Sequence, residues 1–184
     1  GLNYQRVKDR LCADIPYERL EEIYREKTSF ACTASFSSLL FYQRRSLRRG
    51  GFFMRAPLDA EADRTDLAWA VLADIACSTH EQLQHLVELT GNEGGPILGC
   101  GGGFQSEALC QMLSDLSGRE LRLRAGFRQA TVQGLVTLCN DYLGEVPAKR
   151  DSALKTYHPR TGQLIHQYAP AWREARDRAN DIKA

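Results

Sequence analysis

Residues 97–121 read ILGCGGGFQSEALCQMLSDLSGREL and place three consecutive glycines between an apolar run and an amphipathic helical pattern. The apolar run predicts a short buried strand over residues 96–100, and Gly101–Gly103 predict a tight turn. The next segment predicts a helix over residues 106–117, because its apolar residues recur at helical spacing and Gly118 stands where a helix would end.

A second strand and a second helix are predicted directly after this segment. Residues 120–124 alternate between apolar and charged side chains, which is typical of a strand. Residues 130–143 are apolar with helical spacing, and Gly144 follows them as a stop signal. The order strand, glycine turn, helix, strand, helix predicts an α/β fold class.

The glycine turn is the strongest candidate for a binding site. Consecutive glycines after a strand let a ligand come close to the backbone, because no Cβ stands in the way. The helix that follows is expected to offer free backbone N–H groups and the positive end of its dipole. A nucleotide fits both features, and the candidate binding residues are Gly101, Gly102, Gly103, Gln105 and Ser106. The alternative interpretation is a tight structural turn that binds nothing.

Known nucleotide motifs fit the turn only in part. No G-x-x-x-x-G-K-[ST] run occurs in the sequence, which excludes a Walker A loop. Gly99-x-Gly101 fits the start of the dinucleotide fingerprint, but Phe104 occupies the position of its third glycine. The second strand ends in Arg122-Leu-Arg124, which suits only a 2′-phosphate. The same glycines also fit the G-x-G-x-G turn of methyltransferases, so an NADP- or S-adenosylmethionine-dependent enzyme stays open.

Length and charge limit the function classes. The chain has 184 residues, with 24 Lys and Arg against 23 Asp and Glu, for a formal net charge of +1. This length predicts a single domain, or one lobe of a larger protein. A near-neutral chain lacks the excess positive charge that attracts the phosphates of nucleic acid, so a dedicated DNA- or RNA-binding protein is not expected. No apolar run is long enough to span a membrane, and no apolar segment near the start predicts a signal peptide.

Cysteine and histidine spacing give no sign of a metal site. The six cysteines are scattered and none form a C-x-x-C pair, so they are expected to be small buried side chains in a reducing compartment. We therefore expect a cytoplasmic protein. The four histidines lack the i,i+4 spacing of a helical ligand pair.

The segments before the glycine turn are predicted to be mostly helical. Residues 1–28 have helical periodicity that Pro16 interrupts, which predicts two helices. The longest helix is predicted to begin with Thr65 as its N-cap and to end at Gly91. Trp69–Ala76 are apolar nearly all round, which indicates a buried core segment and not a site.

Two further segments flank this helical region. Arg44–Gly51 is basic and predicts a flexible loop, which would either hold a phosphate or be solvated. The tail from Lys155 onward is polar, and Tyr157, Tyr168 and Trp172 are expected to anchor it to the rest of the chain.

The run from Ile97 to Leu121 resembles the adenosine motif of the FGGY carbohydrate kinases. In that family a strand leads into G-G-G-x-x-[SN], then x-L-x-x-Q, then a-D-x-x-G-r-x-[VL]. The residues that fall on this pattern without a gap are Gly101, Gly102, Gly103, Ser106, Leu109, Gln111, Asp115, Gly118, Arg119 and Leu121. Arg49–Phe53, Arg64–Ala76 and Ala130–Gly134 resemble flanking segments of the family in the same order.

The resemblance implies a helix-rich lobe of the actin-like ATPase (ribonuclease H-like) fold. It implies that residues 1–184 form a single C-terminal nucleotide-binding lobe. The expected parts are a helical and irregular lead-in over 1–60, a core with the glycine motif over 61–150, and a tail over 151–184. It further implies ATP and Mg²⁺ as cofactors, with adenosine and the α-phosphate at the glycine loop. The γ-phosphoryl group would pass to a hydroxyl of a ketose or deoxyketose.

In this family the N-terminal lobe carries the sugar site and the catalytic aspartate. We expect that lobe to be missing from the chain, so no catalytic residue is assigned, and the isolated chain is expected to be inactive. The sugar would be bound through the missing lobe, and a homodimer stays open. Trp69, Ala73, Asp74 and Gln129 depart from the family pattern, which favours the alternative of a non-catalytic nucleotide-binding or interaction module.

Overall fold

The computed structural model describes residues 2–36, 39–40, 45–46, 50–57, 62–92, 94–145 and 153–181. Its helices are α1 (Leu2–Leu11), α2 (Tyr17–Glu26), α3 (Arg64–Thr90), α4 (Glu107–Ser117), α5 (Ala130–Leu143) and α6 (Leu164–Asp181). Its strands are β1 (Cys32–Ser35), β2 (Leu39–Leu40), β3 (Arg45–Ser46), β4 (Gly51–Met54), β5 (Ile97–Gly99), β6 (Leu121–Arg124) and β7 (Ala153–Tyr157). Short 3-10 turns span Gly102–Gln105 and Phe127–Gln129.

The sheet of β5, β6 and β7 carries the candidate site. β5 and β6 are parallel, with Ile97 opposite Leu121 and Gly99 opposite Leu123, and β7 pairs antiparallel with β6. The other strands form two antiparallel pairs, β1 with β4 and β2 with β3. Parallel neighbours need a crossover connection, which α4 supplies between β5 and β6. The predicted order of strand, glycine turn, helix and strand is therefore confirmed.

The core is built around the first half of α3. Every residue from Ala68 to Ala73 is buried, and α3 contacts α1, α4, α6 and β1. The Trp69 ring meets Tyr168 edge-on, with centroids 5.1 Å apart, and the Tyr168 hydroxyl donates to the Ala70 carbonyl at 3.0 Å. Burial of a large apolar side chain contributes about 1.5–3 kcal/mol. The prediction that Trp69–Ala76 is core is confirmed for every residue except Ile75, which is half-buried.

A buried carboxylate joins α3 to the C-terminal helix. Asp74 is 1% exposed, and its carboxylate accepts hydrogen bonds from Trp172 Nε1 at 2.6 Å and from the Phe36 N–H at 3.0 Å. Removing the acceptor would leave the buried Trp172 donor and the half-buried Phe36 donor without this partner, which makes the contact important for packing. The three anchors predicted for the tail, Tyr157, Tyr168 and Trp172, are buried. The tail itself forms β7 and α6, which its polar composition did not indicate.

The predicted helix boundaries hold with one exception. Pro16 separates α1 from α2, and Gly91 ends α3 with a left-handed φ of 65°, both as predicted. The prediction of Thr65 as N-cap is wrong, because Asp63 caps α3. The Asp63 carboxylate accepts from the N–H groups of Thr65 at 2.7 Å and Asp66 at 3.1 Å. The Asp66 carboxylate accepts in return from the Asp63 N–H at 2.9 Å.

The basic segment is described only in part. Arg45–Ser46 forms β3 and pairs with β2, and Gly51 begins β4, so these residues are in strands and not in the predicted loop. Arg44 and residues 47–49 lie outside the described residues.

Helix α5 forms where it was predicted, but its apolar side chains face solvent. None of its residues is buried, and Leu135, Leu138 and Tyr142 are 57%, 66% and 90% exposed. Contiguous exposed apolar surface of this kind marks interaction sites. In the described part of the chain, no helix is long and apolar enough to cross a membrane.

We expect Asp63→Ala to destabilise the chain by about 1 kcal/mol at neutral pH, the usual cost of losing an N-cap. Burial raises the pKa of Asp63, but hydrogen bonds from the Thr65 hydroxyl and from two backbone N–H groups outweigh it, so the pKa lies below its ordinary value. Such a carboxylate stabilises the fold above its unfolded pKa, and the contribution is lost as pH falls through the folded pKa. Urea unfolding should show the difference from wild type shrinking below about pH 4.

Asp63→Asn is the matched control, because its amide oxygen still accepts from the backbone of α3. This variant should unfold like the wild type at neutral pH. Equal stability of Asp63→Ala and wild type at neutral pH would contradict the capping role.

Candidate functional site

The glycine loop begins directly after β5 and is tied to the loop after β6. Gly101 has a φ of 98°, a conformation that residues with a side chain rarely adopt. Its N–H donates to the carbonyl of Phe127 at 2.7 Å. One 3-10 turn then spans Gly102–Gln105, and Ser106 follows as the N-cap of α4. The two loops are thereby held together at the carboxyl edge of the parallel strands, where α/β folds bind ligands.

The fold itself requires some of these glycines and not others. A Cβ on Gly99 would lie 2.7 Å from side-chain atoms of both Leu123 and Phe104. A Cβ on Gly102 or Gly103 would meet its nearest neighbour only at 3.6 or 3.9 Å, and neither residue has a left-handed φ. Glycine in a helical turn costs stability relative to alanine. The close approach of a ligand would account for glycine at both positions.

The loop faces a cleft of about 900 Å³, which is within the usual size range of small-molecule sites. Four of the five predicted site residues line this cleft together: Gly102, Gly103, Gln105 and Ser106. Gly101 is not among the lining residues, and its role is to make the turn. The other walls come from α1, α2, Leu72 and Ile75 of α3, and Arg128. The expectation that Trp69–Ala76 contributes to no site is therefore wrong for Leu72 and Ile75 at this candidate cleft.

The N-terminus of α4 is already occupied by the chain's own groups. The Ala108 N–H donates to Glu21 Oε2 at 2.7 Å, and the Leu109 N–H donates to Ser106 Oγ at 3.2 Å. The expectation of free N–H groups at this helix is therefore wrong for these two residues. A serine hydroxyl that accepts one bond still has its own proton to donate. Ser106 is thus able to bond a neutral acceptor in the cleft.

Helix α2 gives the cleft an acidic wall. Glu18, Glu21 and Glu22 all line it, and their i, i+3, i+4 spacing places them on one face of the helix. Arg25 lies on the same wall but pairs with Glu107 at 3.6 Å. Glu22 pairs with Arg19 at 2.8 Å, which leaves Glu18 and Glu21 as the main negative groups. Two like charges 4 Å apart in water repel by about 1 kcal/mol, so this wall disfavours phosphate and suits the neutral nucleoside part of a nucleotide.

Arg128 gives the cleft a positive group beside the glycine loop. It follows Phe127, whose carbonyl holds the loop, and its guanidinium lies over the Phe127 ring, 5.8 Å from the centroid. Among the described residues no carboxylate forms an ion pair with Arg128. The guanidinium is therefore available for an anionic ligand.

The expectation that the cysteines are buried is wrong for Cys100 and Cys139, which are exposed. The buried thiols are not activated nucleophiles. Burial raises the pKa of the Cys32 and Cys110 thiols to about 12, and that of the Tyr4 hydroxyl, which lines the cleft, also to about 12. These groups are protonated at neutral pH. Within the described ranges no three His, Cys, Asp or Glu side chains are grouped so as to hold a metal ion.

The residues that depart from the family pattern lie outside the cleft. Trp69, Ala73 and Asp74 are all buried in the core, whereas the residues of α3 that face the cleft are Leu72 and Ile75. All three side chains belong to the core and do not line the cleft. Gln129 immediately precedes α5 at its N-cap position and makes no side-chain capping bond.

Sequence reasoning missed the acidic wall and Arg128. The spacing of Glu18, Glu21 and Glu22 indicates an acidic helix face, but nothing local indicates that this face meets the glycine loop. The position of Arg128 could have been predicted, because it lies in the loop after the second strand. The loops that follow two adjacent parallel strands meet at one edge of the sheet. The basic segment from Arg44 was considered for a phosphate instead.

Comparison with known proteins gives one consistent result. The sequence model of the FGGY family of carbohydrate kinases, C-terminal domain, matches residues 19–140. YoaC of Bacillus subtilis (strain 168), a candidate sugar kinase, is 32% identical over 176 residues, which are 95% of this chain and 36% of that protein.

Solved structures have the same fold at lower identity. The glycerol kinase of Plasmodium falciparum, solved with ADP, superimposes with a TM-score of 0.71 at 19% identity, over 93% of this chain and 35% of that one. The gluconate kinase of Lactobacillus acidophilus gives 0.72 at 17% identity, over 99% of this chain and 38% of that one. The ligand-bound xylulose kinase of the same organism gives 0.70 at 17%, with the same coverage of 99% and 38%. The chain spans about a third of the length of these relatives.

We expect the two kinds of glycine to respond differently to alanine. Gly99→Ala should destabilise the chain by about 1–3 kcal/mol, the usual cost of overpacking, because its Cβ meets two packed side chains. Gly102→Ala should be neutral or should stabilise by up to about 1 kcal/mol, since its Cβ enters open space in a helical turn. Urea unfolding of both variants beside the wild type measures this. A loss of stability in Gly102→Ala equal to that in Gly99→Ala would contradict the assignment.

Proposed function

Because the chain belongs to the FGGY family of carbohydrate kinases, we propose that its glycine-loop cleft binds ATP as the nucleotide site of a two-lobed sugar kinase. The observation that carries the proposal is the cleft lined by Gly102, Gly103, Gln105 and Ser106. The fold would leave room for a side chain at both Gly102 and Gly103, so a ligand in contact with the backbone best explains these glycines.

Within the cleft, the glycine loop would contact adenosine and the α-phosphate. Gly101 sets the turn, and Gly102 and Gly103 would let the nucleotide lie against the backbone. Ser106 and Gln105 would bond the nucleoside, for which the Ser106 hydroxyl proton is available. A nucleotide as the ligand is supported by the glycerol kinase of the same fold, whose structure was solved with ADP.

The proposed reaction is transfer of the γ-phosphoryl group of ATP to a sugar hydroxyl. Such a transfer requires positioning and charge stabilisation more than covalent chemistry, which fits a lobe with binding groups only. Mg²⁺ would arrive with the triphosphate and be held mainly by its oxygens. We propose a ketose or deoxyketose as acceptor, a class that includes the xylulose named for one structural relative. The protein would be located in the cytoplasm, which supplies ATP and keeps cysteines unpaired.

The remaining catalytic groups would belong to an N-terminal lobe outside this chain. The relatives are about three times as long as the matched part, as the 36% coverage of YoaC indicates. The exposed apolar side chains of α5, which include Leu138 and Tyr142, support the presence of a further protein surface. That lobe would bind the sugar and supply the aspartate that accepts the hydroxyl proton.

We expect Gly102→Val to abolish ATP binding while leaving the fold intact, because the branched side chain occupies the space where the nucleotide meets the backbone. Calorimetry with millimolar ATP and Mg²⁺ measures binding, and urea unfolding checks the fold. Gly94→Val is the control, since a Cβ there also enters open space and Gly94 does not line the cleft. NADPH and S-adenosylmethionine are titrated in parallel. Binding of either without ATP binding, or normal ATP binding by Gly102→Val, would contradict the proposed site.

The isolated chain is expected to phosphorylate no sugar, even with ATP and Mg²⁺ in excess. Positioning of the reactants contributes roughly 7–11 kcal/mol to catalysis and a base about 10²–10⁴-fold, and both would depend on the second lobe. A coupled assay for ADP release, with xylulose, rhamnulose and fuculose as acceptors, measures this. Adding the N-terminal lobe should restore transfer. Sugar-dependent turnover by these 184 residues alone would place the catalytic groups within them and overturn the two-lobed account.

A further inference from the structure

Negative and positive side chains lie on different sides of the cleft. On the α2 side Glu18, Glu21 and Glu22 line it. Glu22 is paired with Arg19 at 2.8 Å, so the negative charge of this wall rests on Glu18 and Glu21. Glu21 is fixed by the Ala108 N–H at 2.7 Å, so its carboxylate stays in place and occupies the helix end that an anion would use. The cation of this side, Arg25, is already paired with Glu107.

Beside the glycine loop the situation is the reverse. Arg128 lines the cleft together with Gly102 and Gly103, and the described part of the chain pairs it with no carboxylate. Its backbone position is fixed, because Phe127, the residue before it, accepts the Gly101 N–H at 2.7 Å. A guanidinium offers a planar fork of donors that matches phosphate oxygens.

From this asymmetry we infer that Arg128 binds the phosphate chain of the nucleotide and that the acidic face of α2 excludes it. A nucleoside polyphosphate would then enter in a single orientation, with its nucleoside part against α2 and its phosphates against Arg128. The inference rests on the proposed function and adds to it a residue that distinguishes phosphorylated from unphosphorylated ligands. Within the described ranges Arg128 contacts the Phe127 ring and pairs with no carboxylate, so its N–H donors are available at the rim of the glycine loop.

The test compares ATP, ADP and adenosine in calorimetric titrations of the full 184-residue chain. Arg128→Gln should weaken binding of ATP and ADP about tenfold or more, because charge-assisted bonds to phosphate are lost. Its affinity for adenosine should stay within about twofold of wild type, since adenosine carries no charge. The control is Arg124→Gln, which removes the same charge from an exposed position on β6 that does not line the cleft, and it should change neither affinity.

A second variant tests the exclusion by α2. Glu18→Gln removes a negative charge from the acidic wall without touching the Glu21 bond to α4, and it should tighten ATP binding about twofold to threefold with no change for adenosine. Equal losses of ATP and adenosine in Arg128→Gln would mean a structural role for the arginine, and unchanged ATP binding would mean no role. Either result overturns the inference while leaving the proposed ATP site intact. If the wild type binds none of the three ligands, both the proposed function and the inference are overturned.

Discussion

The parallel pairing of β5 with β6 determines where the cleft groups lie. Because the two strands run side by side in the same direction, the loops that follow them emerge at one edge. The bond from the Gly101 N–H to the Phe127 carbonyl at 2.7 Å fixes those loops to each other. Gly99 leaves room beside the strand for the Leu123 and Phe104 side chains, since a Cβ there would lie 2.7 Å from atoms of both. The glycine loop and Arg128 are neighbours as a result of this geometry.

Contacts made by α2, α3 and α6 hold the carboxyl edge of β5 and β6 in place. Helix α3 packs against α4, which begins at the glycine loop, and the buried Asp74 ties α3 to Trp172 of α6 at 2.6 Å. Glu21 of α2 reaches the backbone of α4 at 2.7 Å, so the acidic wall and the loop are held at a fixed separation. Conformational order in the cleft therefore depends on contacts that run from the first helices to the last.

Local signals in the sequence predicted the elements that carry the glycine loop. The strand, turn, helix and second strand over residues 96–124 each have their own markers, and all four formed at the predicted places. The prediction that the first strand is buried is wrong, because only Gly99 of β5 is buried and Leu98 is exposed. The family resemblance predicted the fold class, which the comparisons confirm. The N-cap of α3 was misassigned by two residues, because Thr65 and Asp63 are both acceptable caps and only the hydrogen bonds distinguish them.

The parts that the sequence did not predict depend on contacts between distant residues. Glu21 of α2 bonds to a residue of α4 that lies 87 positions further along the chain. Helix α6 packs into the core with two aromatic residues, although its segment is mostly polar. The identity of the site residues stays a prediction that ligand binding must decide.

Amide NMR of the isotope-labelled chain during titration with ATP and Mg²⁺ tests the central claim most directly. The account predicts saturable shifts for Gly102, Gly103, Ser106 and Arg128 and for the residues of α2 that face the cleft, with no shifts in α6. Unchanged loop resonances at millimolar ATP, or shifts confined to another surface, would show that the cleft is not the nucleotide site.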